Sequence, residues 1–224
     1  RLGWEFLFDF RAMVGQLEER DEIVDVEWAI PDPVPNFTVE TMEHGLGASV
    51  PKFIKRFYMM ADGLELSWNV RLDGEVLPGG GIELFDFATV FDSWLDTLWA
   101  SGPETDEMDE EQVDFLWSLR GFDGLADPDP DRREMVVFCV EETDYPTFDL
   151  FLHRLDAHDS HLLSVDFRTY LELLLQTRGT FGWVYRLADL DLAGRPELGR
   201  KVELFDQRME RLFPAADLDA LAGG

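Results

Sequence analysis

The sequence is short of basic residues, of cysteine and of long apolar runs. Only 19 Lys and Arg stand against 47 Asp and Glu in 224 residues, so the formal net charge is −28 at pH 7. Phosphate binding needs a cluster of basic side chains, and the only local group is Lys52, Lys55 and Arg56. Nucleic acid is therefore not expected as a partner, and anionic membrane surfaces are disfavoured for the same reason.

The scarcity of cysteine and of apolar runs excludes two further classes of protein. One cysteine, Cys139, cannot form an internal disulfide framework, which is typical of a chain in a reducing cytoplasm. The longest apolar run, 135–140, has the length of a strand, whereas a membrane span needs about 20 residues. The sequence as given opens without the basic, apolar and cleavage regions of a secretory signal. We therefore expect a cytoplasmic protein that does not enter membranes.

Apolar residues make up 46% of the chain, which predicts a domain with a core rather than a disordered acidic tail. Helical spacing of apolar residues marks the segments 4–17, 49–63, 87–100, 113–119, 167–175 and 197–213. Alternation of apolar and polar residues marks strands at 23–30, 64–70, 75–77, 82–85, 135–140, 147–153 and 161–165. Strands that run together, with helices on their flanks, predict an α+β fold with a central, largely antiparallel sheet.

Turn and breaker residues refine this outline. Ser49 is expected to cap the helix at 49–63, and Gly63 to end it in a left-handed conformation. Asp73-Gly74 predicts a hairpin turn. The three glycines at 79–81 predict a loose loop, and the prolines between 31 and 35 are expected to stop regular structure.

Three segments carry a family resemblance when they are taken in order. The first is Ser-Val-Pro-Lys-Phe-Ile-Lys-Arg-Phe-Tyr-Met-Met-Ala-Asp-Gly at 49–63. The second joins Gly-Ile-Glu-Leu at 81–84 to Phe-Ala-Thr-Val at 87–90, and the third is Leu-Ser-Val-Asp-Phe-Arg-Thr-Tyr-Leu at 163–171, followed by Arg178-Gly179 and Trp183. Together they resemble the SUKH superfamily, which includes bacterial immunity proteins, the bacterial Syd protein and a fungal regulator of cell-wall synthesis.

The resemblance implies a SUKH-like core over residues 44–185, with a long acidic excursion at 101–132. The N-terminal helix and strand at 1–43 and the C-terminal helix and tail at 186–224 lie outside the match, as extensions of the domain. Asp62 stands where the family usually has Asn. The motif residues build the scaffold in this family and none is catalytic, so the resemblance implies a binding role and not a reaction.

Catalytic patterns are absent from the sequence. Cys139 lies in an apolar strand, where a buried inert thiol is expected rather than a nucleophile. The glycines at 79–81 are not followed by the Lys-Ser/Thr of a phosphate cradle, and no Gly-x-Ser-x-Gly occurs. We therefore do not expect an enzyme.

One group of residues could bind a metal. His153, His158 and His161, with Asp156 and Asp159, offer imidazole and carboxylate ligands for zinc or iron. The favoured interpretation is an ordinary polar hairpin, in which His153 and His161 can face each other across the two strands. We expect neither a metal nor another cofactor, and a metal-dependent enzyme built on these histidines is the least favoured hypothesis.

Acidic and aromatic residues are the candidates for a partner-binding surface. The run from 104 to 114 holds seven acidic residues and no basic one. It is either a solvated loop and helix start, where acids favour the helix dipole, or a docking face for a basic partner. Trp68 and Trp183 are either core residues or exposed interface anchors. The candidate contact residues are Glu65, Trp68, Glu104, Asp106, Glu107, Asp109, Glu110, Glu111 and Asp114.

These observations lead to two functional hypotheses. The first is a bacterial cytoplasmic immunity protein of a polymorphic-toxin system, a monomer or small homo-oligomer. It would bind and neutralise a cognate basic toxin domain, such as a nuclease, because a strong negative field speeds the capture of a basic protein. The second is a regulatory scaffold that binds several cellular proteins, as the fungal members of the superfamily imply.

Overall fold

The computed structural model describes residues 4–93, 98, 108–126, 134–140, 148–155, 159–216, 218 and 221. The α-helices are α1 (Trp4–Glu18), α2 (Asn36–Leu46), α3 (Lys52–Tyr58), α4 (Phe87–Phe91), α5 (Glu110–Ser118), α6 (Phe167–Thr177) and α7 (Pro196–Leu212), with a 3₁₀ helix at Trp183–Arg186. The strands are β1 (Ile23–Ala29), β2 (Leu64–Leu72), β3 (Glu75–Leu84), β4 (Leu119–Asp123), β5 (Glu134–Cys139), β6 (Asp149–Arg154) and β7 (Asp159–Leu162).

The strands form one sheet in chain order, and every neighbouring pair is antiparallel. The α+β fold with a central antiparallel sheet is therefore confirmed. The β2–β3 hairpin shows how a short turn makes two strands that are consecutive in sequence neighbours in the sheet. Asp73 and Gly74 both have positive φ, at 52° and 90°, and such a turn matches the twist of the two strands that it joins.

Aromatic side chains fill the core between the sheet and the helices. Phe57 of α3 contacts Phe6 of α1 and Phe167 of α6, with ring centroids 6.0 and 5.8 Å apart. Phe167 also lies 5.6 Å from Phe122 of β4, so the contacts run from helix to sheet without a break. The amphipathic face of α7 adds Phe205 and its apolar neighbours to the same core. The N-terminal and C-terminal extensions thus share one core with the middle of the chain.

The three glycines at 79–81 lie inside β3 and do not form a loose loop. Trp68 of β2 packs directly against Gly79 and Gly80, so a Cβ at Gly79 would overlap its indole ring, and a Cβ at Gly80 would lie 2.6 Å from it. A Cβ at Gly81 would lie 2.6 Å from that of Ala126. The prediction was wrong because glycine was taken as a sign of flexibility, whereas here it permits close approach.

Several helix boundaries also differ from the prediction. The helix at 49–63 is only α3, because Pro51 occupies the N-cap position and Ser49 makes no capping bond, although Gly63 does have a positive φ of 97°. Of the helix at 87–100 the structure describes α4, which ends at Phe91; most of the remainder lies outside the described residues.

Three elements have no sequence prediction: helix α2, strand β4 and the 3₁₀ helix at Trp183–Arg186. Helix α2 begins directly after Pro35, which stands at the N-cap position, outside the helix, where its missing N–H is harmless. Strand β4 follows α5 without a linker, so its residues look like a continuation of the helix. None of the described helices is long and apolar enough to cross a membrane.

Candidate partner-binding surface

Trp68 is a core residue, which corrects its place among the candidate contacts. Only 1% of its surface is exposed, its ring lies 6.0 Å from that of Phe213, and its Nε1 donates a hydrogen bond to the Arg178 carbonyl at 2.9 Å. Trp183 is buried as well. Neither indole can reach a partner without unfolding the core, so neither is an interface anchor.

The acidic run is described from residue 108 onward, and there it forms the start of α5. Asp109 is the N-cap: its Oδ1 accepts from the Gln112 N–H at 2.9 Å, and the Gln112 Oε1 accepts from the Asp109 N–H at 3.3 Å. This reciprocal pair is a capping box. Glu110 and Glu111 occupy the first turn, where negative charge complements the helix dipole. Part of the run therefore has a structural role.

Of the other four candidate contact residues in this run, the structure describes one. Asp114 is exposed on α5, one turn beyond the cap. Glu104, Asp106 and Glu107 lie outside the described residues. A docking role for the run stays a prediction.

Glu65 lies on a second acidic surface, which we call the open sheet face. It is the face of β1–β3 opposite to Trp68, and it bounds a concavity of about 620 Å³. The residues that line it are Glu27, Trp28, Ala29, Glu65, Leu66, Ser67, Ile82, Glu83 and Ala126.

Strand register brings the acidic side chains of the open sheet face together. Glu65 is directly opposite Glu83 on β3 and Ala29 on β1, and Glu27 is opposite Ser67, one diagonal step from Glu65. Cross-strand neighbours have Cβ atoms about 5 Å apart, and diagonal neighbours are about 7–8 Å apart. Three carboxylates from three strands therefore lie within reach of one ligand group.

The charge of this face is not balanced by basic side chains that line it. No Lys or Arg is among the described residues around the concavity. Glu27 and Glu65 are exposed, and neither forms a salt bridge with another described residue. Like charges on neighbouring strands repel, so this arrangement favours a cationic group that binds between them.

The exposed aromatic residue of this region is Trp28, not Trp68. It is 42% exposed, and its ring packs edge-on against Phe10 of α1 at a centroid distance of 6.0 Å. The register pairs Trp28 with Leu66, so its side chain lies on the helix-covered face of the sheet and not beside the carboxylates. The alternation of β1 predicts which side each residue faces, but only the strand register places Glu27 and Glu83 beside Glu65.

The histidines near residue 160 do not face each other. In the β6–β7 register His153 is opposite Ser160, with 2.7 Å between Nδ1 and Oγ, and His161 is opposite Leu152. His158 lies outside the described residues. In the part of the chain that the structure describes, no group of three or more His, Cys, Asp or Glu is placed to hold a metal.

Cys139 is buried, as its sequence context predicts, and its Sγ lies 3.1 Å from the Ser118 Oγ. Arg120 of β4 interacts electrostatically with this thiol, and burial lowers the pKa of the Arg120 guanidinium to about 10. The thiol is nevertheless almost fully buried, as expected for a packed core residue.

Comparison with known proteins adds no relative: no family model matches the chain, and no curated protein matches it.

Proposed function

We propose that this protein is a cytoplasmic immunity protein that binds a basic toxin domain through the open sheet face and has no catalytic activity of its own. The observation that carries the proposal is the unbalanced pair Glu27 and Glu65 on a concave surface whose described lining has no Lys or Arg. The net charge of −28 and the SUKH-like motifs support the same class of function.

Electrostatics explains how such a protein would capture its target. A domain that acts on nucleic acid needs a basic cleft for phosphates, and an acidic protein can occupy that cleft in place of the substrate. Complementary charge raises association rates by orders of magnitude at low ionic strength. Fast capture matters for immunity because free toxin must be intercepted before it acts.

Charge alone does not give slow dissociation, which requires buried contacts. An arginine of the partner could form two parallel hydrogen bonds with Glu65, since the planar guanidinium matches the geometry of a carboxylate. Capture and retention would then both depend on the carboxylates of the open sheet face.

The test compares two double variants that each remove two negative charges. Tagged wild type, Glu27→Gln/Glu65→Gln and Glu110→Gln/Glu111→Gln are used to capture partners from the source cells, at low salt and at about 0.5 M salt, where the screening length is only a few ångströms. We expect wild type and the α5 variant to retain one basic protein at equal stoichiometry. The sheet-face variant should bind it about tenfold more weakly.

A second step links capture to neutralisation. The captured protein, expressed alone, should stop growth, and co-expression of wild type but not of Glu27→Gln/Glu65→Gln should restore it. Equal binding by both charge variants would reject the open sheet face, and hydrolase activity of the purified protein would reject the function. Several partners that wash off as salt rises would favour a regulatory scaffold.

A further inference from the structure

Four polar groups meet where the edge strand β7 lies beside the segment that leads into α7. Asp159 and His161 come from β7, and Arg195 directly precedes α7. His161 Nε2 lies 2.9 Å from Asp159 Oδ2 and 3.0 Å from Arg195 Nη1, and Arg195 Nη2 donates to the same carboxylate oxygen at 2.7 Å. The other ring nitrogen, Nδ1, lies 3.1 Å from the Asp189 carbonyl.

The bonding capacity of these groups fixes the proton positions. A carbonyl oxygen only accepts hydrogen bonds, so His161 Nδ1 carries a proton. In the neutral imidazole Nε2 is then an acceptor, which bonds to Arg195 but not to a carboxylate. In the imidazolium Nε2 is a donor, which bonds to Asp159 but not to a guanidinium. The two contacts at Nε2 therefore exclude each other, and one proton selects between them.

Other charged groups around the cluster have their own partners. From β6, Arg154 is opposite Asp159 in register and lies 3.5 Å from Glu134, and His153 bonds to Ser160. From the connecting segment, Asp191 accepts from the backbone N–H groups of residues 193 and 194. Among the described residues, Asp159 and Arg195 are thus the charged side chains in direct contact with the imidazole.

The carboxylate of the cluster is held in its ionised form. Burial raises the pKa of Asp159, but hydrogen bonds from Arg195 and His161 outweigh burial and leave this pKa below its ordinary value. The carboxylate stays charged throughout the range in which a histidine titrates. Proton exchange at this place is therefore confined to the imidazole.

We propose that His161 is a proton-dependent latch between β7 and the start of α7: neutral, it accepts from Arg195 Nη1, and protonated, it donates to Asp159, while Arg195 Nη2 keeps its bond to Asp159 in both states. Backbone hydrogen bonds hold the two segments together in both states. The Asp189 N–H donates to the Leu162 carbonyl at 3.2 Å, and Leu163 forms a β-bridge with Ala188. The exchange therefore changes the partner of His161 and the number of bonds between Arg195 and β7, while the fold is kept. This inference does not depend on the proposed function.

Nitrogen-15 NMR of the histidine rings tests the latch directly in the wild-type protein. Above neutral pH, we expect His161 in the tautomer with the proton on Nδ1, which is the rarer form in free histidine. The opposite tautomer would overturn the proposal, and this readout needs no variant. The exposed His44 provides the internal reference for an unrestrained ring.

Two variants then give opposite shifts. Asp159→Asn removes the acceptor of the protonated form and should move the titration curve of His161 to lower pH, whereas Arg195→Gln removes a nearby positive charge and should move it to higher pH. Each shift should be about half a pH unit or more. Asp206→Asn, which breaks the Arg186 pair on α7, is the matched control and should leave the curve in place. Shifts in the same direction, or none, would contradict the latch.

Discussion

The two faces of β2 differ in what their side chains do. Leu66 and Trp68 face the core and are almost fully buried, whereas Glu65 and Ser67 lie on the open sheet face and make no side-chain hydrogen bond with a described residue. The buried face contributes to stability through apolar area and close packing. The open face contributes little, so its residues are available for binding.

The start of α5 provides a second contrast, between two acidic surfaces. There Asp109 caps the helix and Glu110 and Glu111 complement its dipole, so acidic residues stabilise the local structure. On the open sheet face, Glu65 and Glu83 oppose each other across two strands, where like charges destabilise. Acidic charge that does not help the fold is the better indication of a binding surface.

The largest effect is expected on the buried face. Trp68→Ala should lower the free energy of unfolding by about 3–5 kcal/mol, because it leaves a cavity beside the glycines of β3 and an unpaired carbonyl at Arg178. Urea denaturation followed by far-UV circular dichroism measures the loss.

Trp68→Phe should recover much of this loss, because it fills most of the cavity, and Glu65→Ala on the other face should change stability by less than about 0.5 kcal/mol. An equal loss for Trp68→Ala and Glu65→Ala would refute the division between the two faces.

A smaller loss is expected at the helix start. Asp109→Ala removes the side-chain acceptor of the capping box and should lower the free energy of unfolding by about 1 kcal/mol. Asp109→Asn retains an acceptor and should restore most of it, and Asp114→Asn serves as the control, because Asp114 lies beyond the cap. Thermal unfolding of dilute protein is the measurement. An unchanged melting temperature for Asp109→Ala would show that this residue does not stabilise the helix.

Removing one negative charge from each of the two acidic surfaces should change the free energy of unfolding in opposite directions. Glu65→Gln relieves repulsion from Glu83 and should raise the free energy of unfolding by about 0.5 kcal/mol at low salt, whereas Glu110→Gln should lower it by a similar amount. Both effects should shrink in about 0.5 M salt, because exposed charges are screened. If both variants changed the free energy of unfolding in the same direction, the proposed difference between the two surfaces would be wrong.

The smallest effect concerns Asp62, whose Oδ1 accepts the Phe87 N–H at 2.7 Å. Burial raises the pKa of Asp62, and the negative charge of the nearby Asp86 raises it further. The hydrogen bond from the Phe87 N–H lowers this pKa, but by less than burial raises it. Because the folded-state pKa is raised, this group stabilises the fold below its unfolded value of about 4 and loses that contribution as pH rises through the folded value.

Asp62→Asn keeps the acceptor without the charge. Relative to wild type, the variant should therefore gain stability between about pH 4 and neutral pH, by no more than about 0.5 kcal/mol, since the group is only partly buried and solvent screens its charge. Melting temperatures of both proteins across this range are the measurement. A stability difference that does not change with pH would show that the ionisation of Asp62 is not coupled to folding.

The sequence by itself determined the fold class, the hairpin at Asp73-Gly74, and the amphipathic helices α6 and α7, because each follows from local periodicity and turn chemistry. It also placed Glu65 on a wet strand face. The parity of positions already puts residues 65 and 68 on opposite faces, so Trp68 and Glu65 could not belong to one surface.

Tertiary structure decided the rest, since it depends on which distant segments meet. Gly79 and Gly80 are strand residues against which the Trp68 indole packs, and the N–H of that indole is satisfied by the carbonyl of Arg178, 110 residues away. Glu27 and Glu83 joined Glu65 through strand register, and His161 met Arg195 through the path of the chain before α7. Local pattern specifies the face of an element, and only packing specifies what lies opposite that face.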